Sequence, residues 1–197
     1  RYNTLTGNYT QSGFLKKYFP ASDVIILAFR QQNGDEWYSG NNGGGLVRIS
    51  ARDGSIHHYR KDGPAGKFSS SYYVNYTEDR NGDCWFGVNK SNRLLHWDHI
   101  NDRFTEITMD TIRGTEGMSF SGITDITLDA DNKLWISYDG SGLLHFDPVN
   151  KKAKLYTIQD GLPTNFVFSL RFDDRNRLWI GTTRGLSCLL VKENKIF

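Results

Sequence analysis

The chain has 197 residues, of which 38% are hydrophobic and 23% charged, so it is expected to fold around a core rather than stay disordered. Its formal net charge is +2 and its basic residues are scattered, whereas a nucleic-acid partner would require a concentrated basic patch. No run of about 18 apolar residues occurs, so we expect no membrane contact within this segment. Aromatic residues make up 14% of the chain and there are 20 glycines, a composition that favours short strands and tight turns.

An internal repeat organises the sequence. Tryptophans recur about 45–50 residues apart, which is the spacing of a four-stranded propeller blade. They are Trp37, Trp85, Trp135 and Trp179. Three residues before each Trp stands a residue that readily adopts positive φ, which predicts a two-residue hairpin of the primed type ahead of the Trp strand. These residues are Gly34, Gly82, Asn132 and Asn176.

Four strand-like segments follow one another in each repeat: an inner strand, the Trp strand, a third strand and a more polar outer strand. Inner strands are predicted at 25–29, 74–76, 123–128 and 167–172, and in the last of these Phe168, Leu170 and Phe172 are expected on one side. Third strands are predicted at 46–49, 94–97, 143–146 and 186–189. Residues 1–3 align with a third strand, and residues 15–19 are similar to an outer strand.

The predicted fold is therefore all-β, with about four four-stranded antiparallel β-propeller blades and a preceding half blade. We expect the outer strands of an earlier blade at 1–22, blades at 23–70, 71–120 and 121–164, and a last, incomplete blade at 165–197. Such a set is a fragment of a larger ring.

The last repeat carries a family resemblance. Residues 173–186, with the sequence DDRNRLWIGTTRGL, and the preceding phrase DGLPTN at 160–165 resemble the two-component regulator propeller repeat. Residues 129–146 fit nearly as well, whereas Gln31 and Arg93 depart from the pattern. The resemblance implies a periplasmic, seven-bladed propeller region of an inner-membrane hybrid sensor histidine kinase. It also implies sensing of oligosaccharides from complex glycans and dimerisation through the propeller region.

No catalytic or cofactor motif is present, so we expect no cofactor, no metal and no enzymatic activity in this segment. Residues 129–132 are similar to the start of a calcium loop but lack its Gly and its terminal Glu. His96 and His145 occupy a repeat position that also holds Arg48 and Cys188, which favours a structural role. Cys84 and Cys188 lie in blades that are not neighbours, so no disulfide is expected.

A ligand-binding face is predicted where the turns that enter the inner strands meet the loops that follow the Trp strands. Amide, hydroxyl and carboxylate groups beside aromatic rings suit sugar recognition. The predicted contacts are Tyr138, Asp139, Arg184, Asn41, Asn42, Asn89, Tyr72 and Asn165. The alternative for each polar residue is that it caps a turn.

The leading hypothesis is the sensory region of a two-component sensor that binds an oligosaccharide. A protein–protein interaction scaffold is the alternative. A propeller-fold polysaccharide lyase or glycosidase is a further one, and it would need paired carboxylates or a His/Tyr/Arg set on one face.

Overall fold

The computed structural model describes residues 2–3, 8–9, 15–19, 25–40, 44–60, 73–88, 91–118 and 122–197. A short antiparallel pair, β1 (Tyr2–Asn3) and β2 (Asn8–Tyr9), precedes four four-stranded sheets. The first sheet contains β3 (Ile25–Arg30), β4 (Glu36–Gly40), β5 (Leu46–Ile49) and β6 (Ile56–Tyr59). The second contains β7 (Tyr73–Glu78), β8 (Cys84–Val88), β9 (Arg93–Asp98) and β10 (Arg103–Thr108). The third contains β11 (Ile123–Leu128), β12 (Leu134–Tyr138), β13 (Gly142–Asp147) and β14 (Lys152–Tyr156). The fourth contains β15 (Val167–Phe172), β16 (Arg177–Thr182), β17 (Gly185–Leu190) and β18 (Lys195–Ile196).

Each sheet is an antiparallel meander in chain order, and its first strand packs against the first strand of the next sheet. The inner strands therefore stand side by side, and the other three strands of each sheet extend outward behind its inner strand. The inner strands are β3, β7, β11 and β15. This is an open row of β-propeller blades, and the predicted fold is confirmed. The blades are numbered 1 to 4 in chain order below. The predicted blade boundaries at residues 23, 71, 121 and 165 remain predictions.

Apolar cores fill the seams between the blades. Trp37 lies in the core between blades 1 and 2 together with Phe86 and Trp97. Leu94 and Ile136 belong to the core between blades 2 and 3, and Trp135 to the core between blades 3 and 4. Because the second and third sheets each have a neighbour on both sides, their Trp strands β8 and β12 are buried along their whole length.

The expected outer strand at residues 15–19 is wrong. Residues Leu15–Lys17 form a 3-10 turn, and the buried side chains of Leu15 and Phe19 pack on Val47 of β5. The side chains at 15 and 19 are four residues apart and reach one partner, which is a helical rather than a strand spacing. Two other short 3-10 turns occur at Met109–Thr111 and Ile158–Asp160. Within the described part of the chain, no helical segment has the length and apolar character of a membrane span.

The hairpin before each Trp strand differs from the predicted primed turn. In blade 1, Gly34 N donates to Gln31 O (2.9 Å) and Gln31 N donates to Asp35 O (2.8 Å), so the loop has three residues. Among these three only Gly34 has positive φ (93°), whereas a type I′ turn needs two such residues. The loop is a type I turn followed by a left-handed residue, and the other blades repeat it with φ of 89°, 57° and 57° at Gly82, Asn132 and Asn176.

Each inner strand carries a β-bulge at its second residue. The register shifts between Ile25 and Leu27, and likewise at the same point of the other inner strands, β7, β11 and β15. In β15 the bulge leaves Phe168 49% exposed, while Leu170 is buried. The prediction that Phe168 shares one side with Leu170 is therefore wrong, because the extra residue breaks the two-residue alternation.

The two cysteines are free thiols in different blades. Cys84 is buried in β8 and Cys188 is half-buried in β17. Burial raises the pKa of the Cys84 thiol, so this residue behaves as a small apolar side chain of the core.

Candidate functional site

Three of the polar residues predicted to bind ligand lie on loops at the seam between blades 3 and 4. Asp139 follows β12, Asn165 precedes β15, and Arg184 lies in the turn between β16 and β17. Backbone hydrogen bonds hold these loops together, because Gly142 N donates to Asn165 O over 2.9 Å. Asp139 and Arg184 are exposed and Asn165 is half-buried. With Phe166, described below, these residues are called the seam site: Asp139, Asn165, Phe166 and Arg184.

The loop that leads into β15 is ordered by its own hydrogen bonds. Thr157 N donates to the carboxylate of Asp160 (2.9 Å), and Thr157 Oγ1 accepts from Gln159 N (3.2 Å), which closes a capping box. Gly161 ends this turn in the left-handed conformation, at φ 105°. Leu162 then enters the core between blades 3 and 4. Residues 160–165, called the clamp below, therefore have a structural role: they fix where β15 begins.

Asn165 acts as a turn cap, which was the alternative to ligand contact. Its side-chain oxygen accepts from Ile158 N (3.0 Å), and its backbone oxygen accepts from Gly142 N. Arg184 is also anchored: its Nη1 donates to Pro163 O (3.3 Å) and its backbone N donates to Thr182 Oγ1 (3.1 Å). The guanidinium is thereby drawn over the loop that precedes β15.

Tyr138 lies in the core and not at the surface. It is 0% exposed and packs among the buried residues between blades 2 and 3. Burial raises the pKa of its phenol. Tyr138 is the last residue of a strand covered on both faces, so a ligand on the loops cannot touch it, and its predicted role as a contact is not supported. The other predicted contacts, Asn41, Asn42, Tyr72 and Asn89, lie outside the described residues.

Phe166 was not among the predicted contacts. Its side chain is 48% exposed, and its ring lies against Gly140, where an added Cβ would be 3.3 Å from Phe166 Cε1. Its backbone oxygen accepts from Thr183 N over 3.2 Å. The strand register makes Phe166 the counterpart of Tyr72, since Val167 and Tyr73 occupy the same position of their strands. That alignment was the available signal.

A second set of residues missed from the sequence stands six positions before each Trp. Asp129 Oδ1 accepts from the backbone N of Asp131 and Lys133 (2.9 and 3.0 Å), and its Oδ2 accepts from Trp135 Nε1 (3.1 Å). The same carboxylate thus closes the hairpin and fixes the indole. The partner His145 lies 3.2 Å from Asp129 Oδ2 and stacks on the indole at 4.1 Å between ring centroids.

The other blades have variants of this arrangement around the Trp indole. In blade 4, Asp173 Oδ2 accepts from Trp179 Nε1 (3.0 Å). In blade 1, where Gln31 replaces the Asp, Gln31 Oε1 accepts from Trp37 Nε1 (2.6 Å). In blade 2, His96 stacks on Trp85 at 4.2 Å. The third-strand histidines thus have a structural role beside the Trp rings.

A cavity of about 370 Å³ opens among the hairpins of blades 1 to 4, at the opposite end of the inner strands from the seam site. Three of its five acidic lining residues, Asp79, Asp129 and Asp173, accept backbone hydrogen bonds within their own turns; the other two are Glu78, which accepts from Gln32 N, and the exposed Asp174. We therefore assign the three turn carboxylates to the fold. Among the described residues, no three His, Cys, Asp or Glu side chains are grouped so as to hold a metal ion.

The comparison with known families bears on the seam site. The model of the two component regulator propeller matches the stretch that contains residues 161–165 of the clamp, Phe166 and the last Trp strand. Residues 161–184 match the repeat of the two component regulator propeller family. The resemblance predicted from the sequence is confirmed. No curated protein is significantly similar to the chain.

Solved structures share the propeller architecture at low identity. The extracellular domain of a hybrid two component system from B. thetaiotaomicron has a TM-score of 0.72 and 18% identity, over 92% of this chain and 26% of that one. A second such domain from the same organism gives 0.68 and 18%, over 89% and 23%. Virginiamycin B lyase from Staphylococcus aureus gives 0.67 and 18%, over 91% and 56%. At these identities the likeness establishes the fold alone. The chain spans about a quarter of the length of the two sensor domains.

Proposed function

We propose that this chain is part of the extracytoplasmic, periplasmic sensory region of a two-component signalling protein. The observation that carries the proposal is the two-component regulator propeller repeat at residues 161–184, set within a row of blades built alike. The fold shared with extracellular domains of hybrid two component systems supports it.

We further propose that the loops at the seam of blades 3 and 4 bind an oligosaccharide. Asp139 and Arg184 are exposed on adjacent loops that hydrogen bonds hold in place. A carboxylate accepts hydrogen bonds from sugar hydroxyls, and a guanidinium donates them in a fixed geometry. Because the loops are already ordered, binding does not incur the entropic cost of ordering them.

Signalling requires that the ligand prefer one of two states of the assembly, which we propose to be a homodimer formed through the propeller region. A ligand that bound both states equally would shift nothing, however tightly it bound.

The test is a thermal-shift screen followed by calorimetric titration of the chain with defined oligosaccharides. A ligand that binds the native state raises the melting temperature by mass action. Asp139→Ala and Arg184→Ala are expected to lower the affinity at least tenfold. The matched controls are Asp174→Ala and Arg175→Ala, exposed residues of the same charges in the hairpin at the other end of blade 4. Equal effects of both pairs would contradict a site on the loops.

A lyase is the second candidate function, because virginiamycin B lyase shares the propeller fold. Incubation of each binding oligosaccharide with the chain, followed by analysis of the products, separates the two proposals. Cleavage with turnover would replace sensing by catalysis. Absence of any sugar binding would favour the protein interaction scaffold.

A further inference from the structure

We propose that Phe166 is the platform on which a pyranose ring of the bound oligosaccharide stacks, with Asp139 and Arg184 hydrogen-bonding to its rim. This inference rests on the proposed function and names its central contact. The apolar C–H face of a pyranose packs on an aromatic ring, while the hydroxyls around its edge remain available for polar partners.

The first argument is that the backbone which carries the exposed ring of Phe166 is held in place. The ring is 48% exposed, yet both backbone groups of the residue are bonded: its N donates to Thr164 Oγ1 (3.3 Å) and its O accepts from Thr183 N (3.2 Å). An exposed phenylalanine on a fixed backbone offers contact area at a low entropic cost of binding.

The second argument is the position of Phe166 between two loops that carry polar residues. Its ring lies against Gly140, the residue after Asp139. Its backbone oxygen accepts a hydrogen bond from Thr183 N, and Thr183 is the residue before Arg184. Phe166 therefore stands between the loop of Asp139 and the loop of Arg184.

The third argument concerns Gly140, whose lack of a side chain leaves space beside the ring of Phe166. Its φ is +74°, and a Cβ there would approach Phe166 Cε1 to 3.3 Å. A side chain at position 140 would press on the phenyl ring of Phe166, on which we propose that the sugar stacks. Glycine leaves the ring and the adjacent backbone open along one surface.

The exposure of Phe166 does not come from the free side of blade 4. Phe166 contacts Gly140 of blade 3, so it lies on a seam that is already formed. Phe168, at 49% exposure, has the same residue type and nearly the same exposure, but it stands at the bulge of β15. It is therefore a matched control for the loss of an exposed phenyl ring.

The experiment measures calorimetric affinities of the chain and its variants for cello-, xylo-, manno- and galacturono-pentasaccharides. We expect Phe166→Ala to weaken binding of the best ligand at least tenfold. Phe166→Tyr is expected to stay within about threefold of the parent chain and Phe168→Ala within about twofold. Circular dichroism melting curves of all variants establish that each one is folded.

The outcomes separate the two levels of the argument. If the parent chain binds a saccharide and Phe166→Ala binds it equally well, the platform is wrong while the proposed function stands. If Phe168→Ala weakens binding as much as Phe166→Ala, the effect is not specific to the seam and the platform is again wrong. If the parent chain binds none of these sugars, the glycan proposal fails and the platform fails with it.

Discussion

Tyr59, in the outer strand of blade 1, donates its phenolic hydrogen to Asp102 Oδ1 of blade 2 over 2.5 Å. Asp102 occupies the left-handed region (φ 48°) in the turn before the outer strand of its own blade. Tyr156 makes the corresponding bond from blade 3 to Asn194 Oδ1 of blade 4, at 2.7 Å, and Asn194 has φ 51°. A tyrosine at the outer strand is thus tied to the left-handed turn residue of the next blade.

The seam between blades 2 and 3 is built differently. Ile107 stands where blades 1 and 3 have tyrosine, and Lys151 holds the left-handed turn position (φ 51°). Here the backbone joins the blades, because Ala153 N donates to Arg113 O over 2.8 Å. Gly114 makes this approach possible, since a Cβ there would lie 1.9 Å from Ala153 O.

Removal of the two tyrosine hydroxyls is expected to destabilise the chain unequally. Tyr59→Phe removes the bond to the Asp102 carboxylate and the bond that Arg48 Nε donates to the same hydroxyl (3.1 Å), and should lower the free energy of unfolding by about 1.5 kcal/mol. Tyr156→Phe removes a bond to an amide and should lower it by about 1 kcal/mol. Urea unfolding of both variants beside the parent chain measures this. Losses below about 0.3 kcal/mol in both would mean that the bonds contribute nothing to the seams.

Asp129 and Asp125 should contribute to the free energy of unfolding with opposite dependences on pH. Burial alone would raise the pKa of Asp129, but hydrogen bonds from His145, Lys133 N, Trp135 and Asp131 N hold that pKa below the ordinary 3.8. Its stabilising contribution is therefore complete above that ordinary pKa and is lost as the pH falls through the lowered one. Asp125 has a pKa raised by burial, so its favourable contribution belongs to low pH and is lost as the pH rises through the raised pKa.

Asp129→Asn should therefore flatten the acid limb of the stability curve between about pH 5 and pH 2, whereas Asp125→Asn should steepen it. At neutral pH, Asp129→Asn should also lower the free energy of unfolding by about 1–3 kcal/mol, because its turn and indole bonds are weakened. Urea unfolding across this pH range tests both. Parallel curves for the two variants would overturn the assignment.

Equivalent leucines differ in what covers them. Leu143 and Leu186 pair with corresponding residues of their Trp strands, yet Leu143 is 0% exposed and Leu186 is 67% exposed. Leu143→Ala should lower the free energy of unfolding by about 3 kcal/mol, and Leu186→Ala by less than about 0.5 kcal/mol. Chemical denaturation at low protein concentration measures both. A large loss at Leu186 that grows with concentration would show that this face is covered by another copy.

Glycine at the start of the third strand permits positive φ and, in blade 3, also a close approach of the outer strand. The two effects can be measured separately. Both Gly142 and Gly185 have positive φ (97° and 108°), but a Cβ at Gly142 would lie 2.3 Å from Tyr156 O, and at Gly185 it would meet nothing within 4 Å. Gly185→Ala should cost about 1 kcal/mol for the backbone conformation, and Gly142→Ala about 2–4 kcal/mol because the outer strand must also move. Thermal unfolding decides the matter, and equal costs would mean that the contact relaxes freely.

The repeat in the sequence was sufficient to predict the blades, because a Trp preceded by a residue with positive φ recurs at the spacing of one blade. It was insufficient for the turn type, since Gly34 and Asn132 satisfy both a primed turn and a type I turn with a left-handed third residue. The bulge in the inner strands was invisible for a similar reason: Phe168, Leu170 and Phe172 alternate well, and only the backbone register shows the extra residue.

Within the site, Asp139 and Arg184 could be placed from the alignment of the repeats, whereas Tyr138 could not. The sequence cannot show that β12 extends to residue 138 or that a neighbouring blade covers that end of it. Phe166 was missed because its counterpart in blade 3 is Gly122, so the position shows no common residue type. The hairpin carboxylates were missed because Asp129 was weighed as a metal ligand and a turn residue, but not as an acceptor for an indole.

The double duty of Asp129 has a mechanical consequence. The carboxylate that closes the hairpin also grips the indole that fills the next seam, so the turn cannot open without loosening the packing between blades. Hairpin opening in blade 3 and separation of blades 3 and 4 are therefore coupled through a single side chain. Hydrogen exchange at the turn amides of Asp131 and Lys133 should report the integrity of that seam as well as of the hairpin.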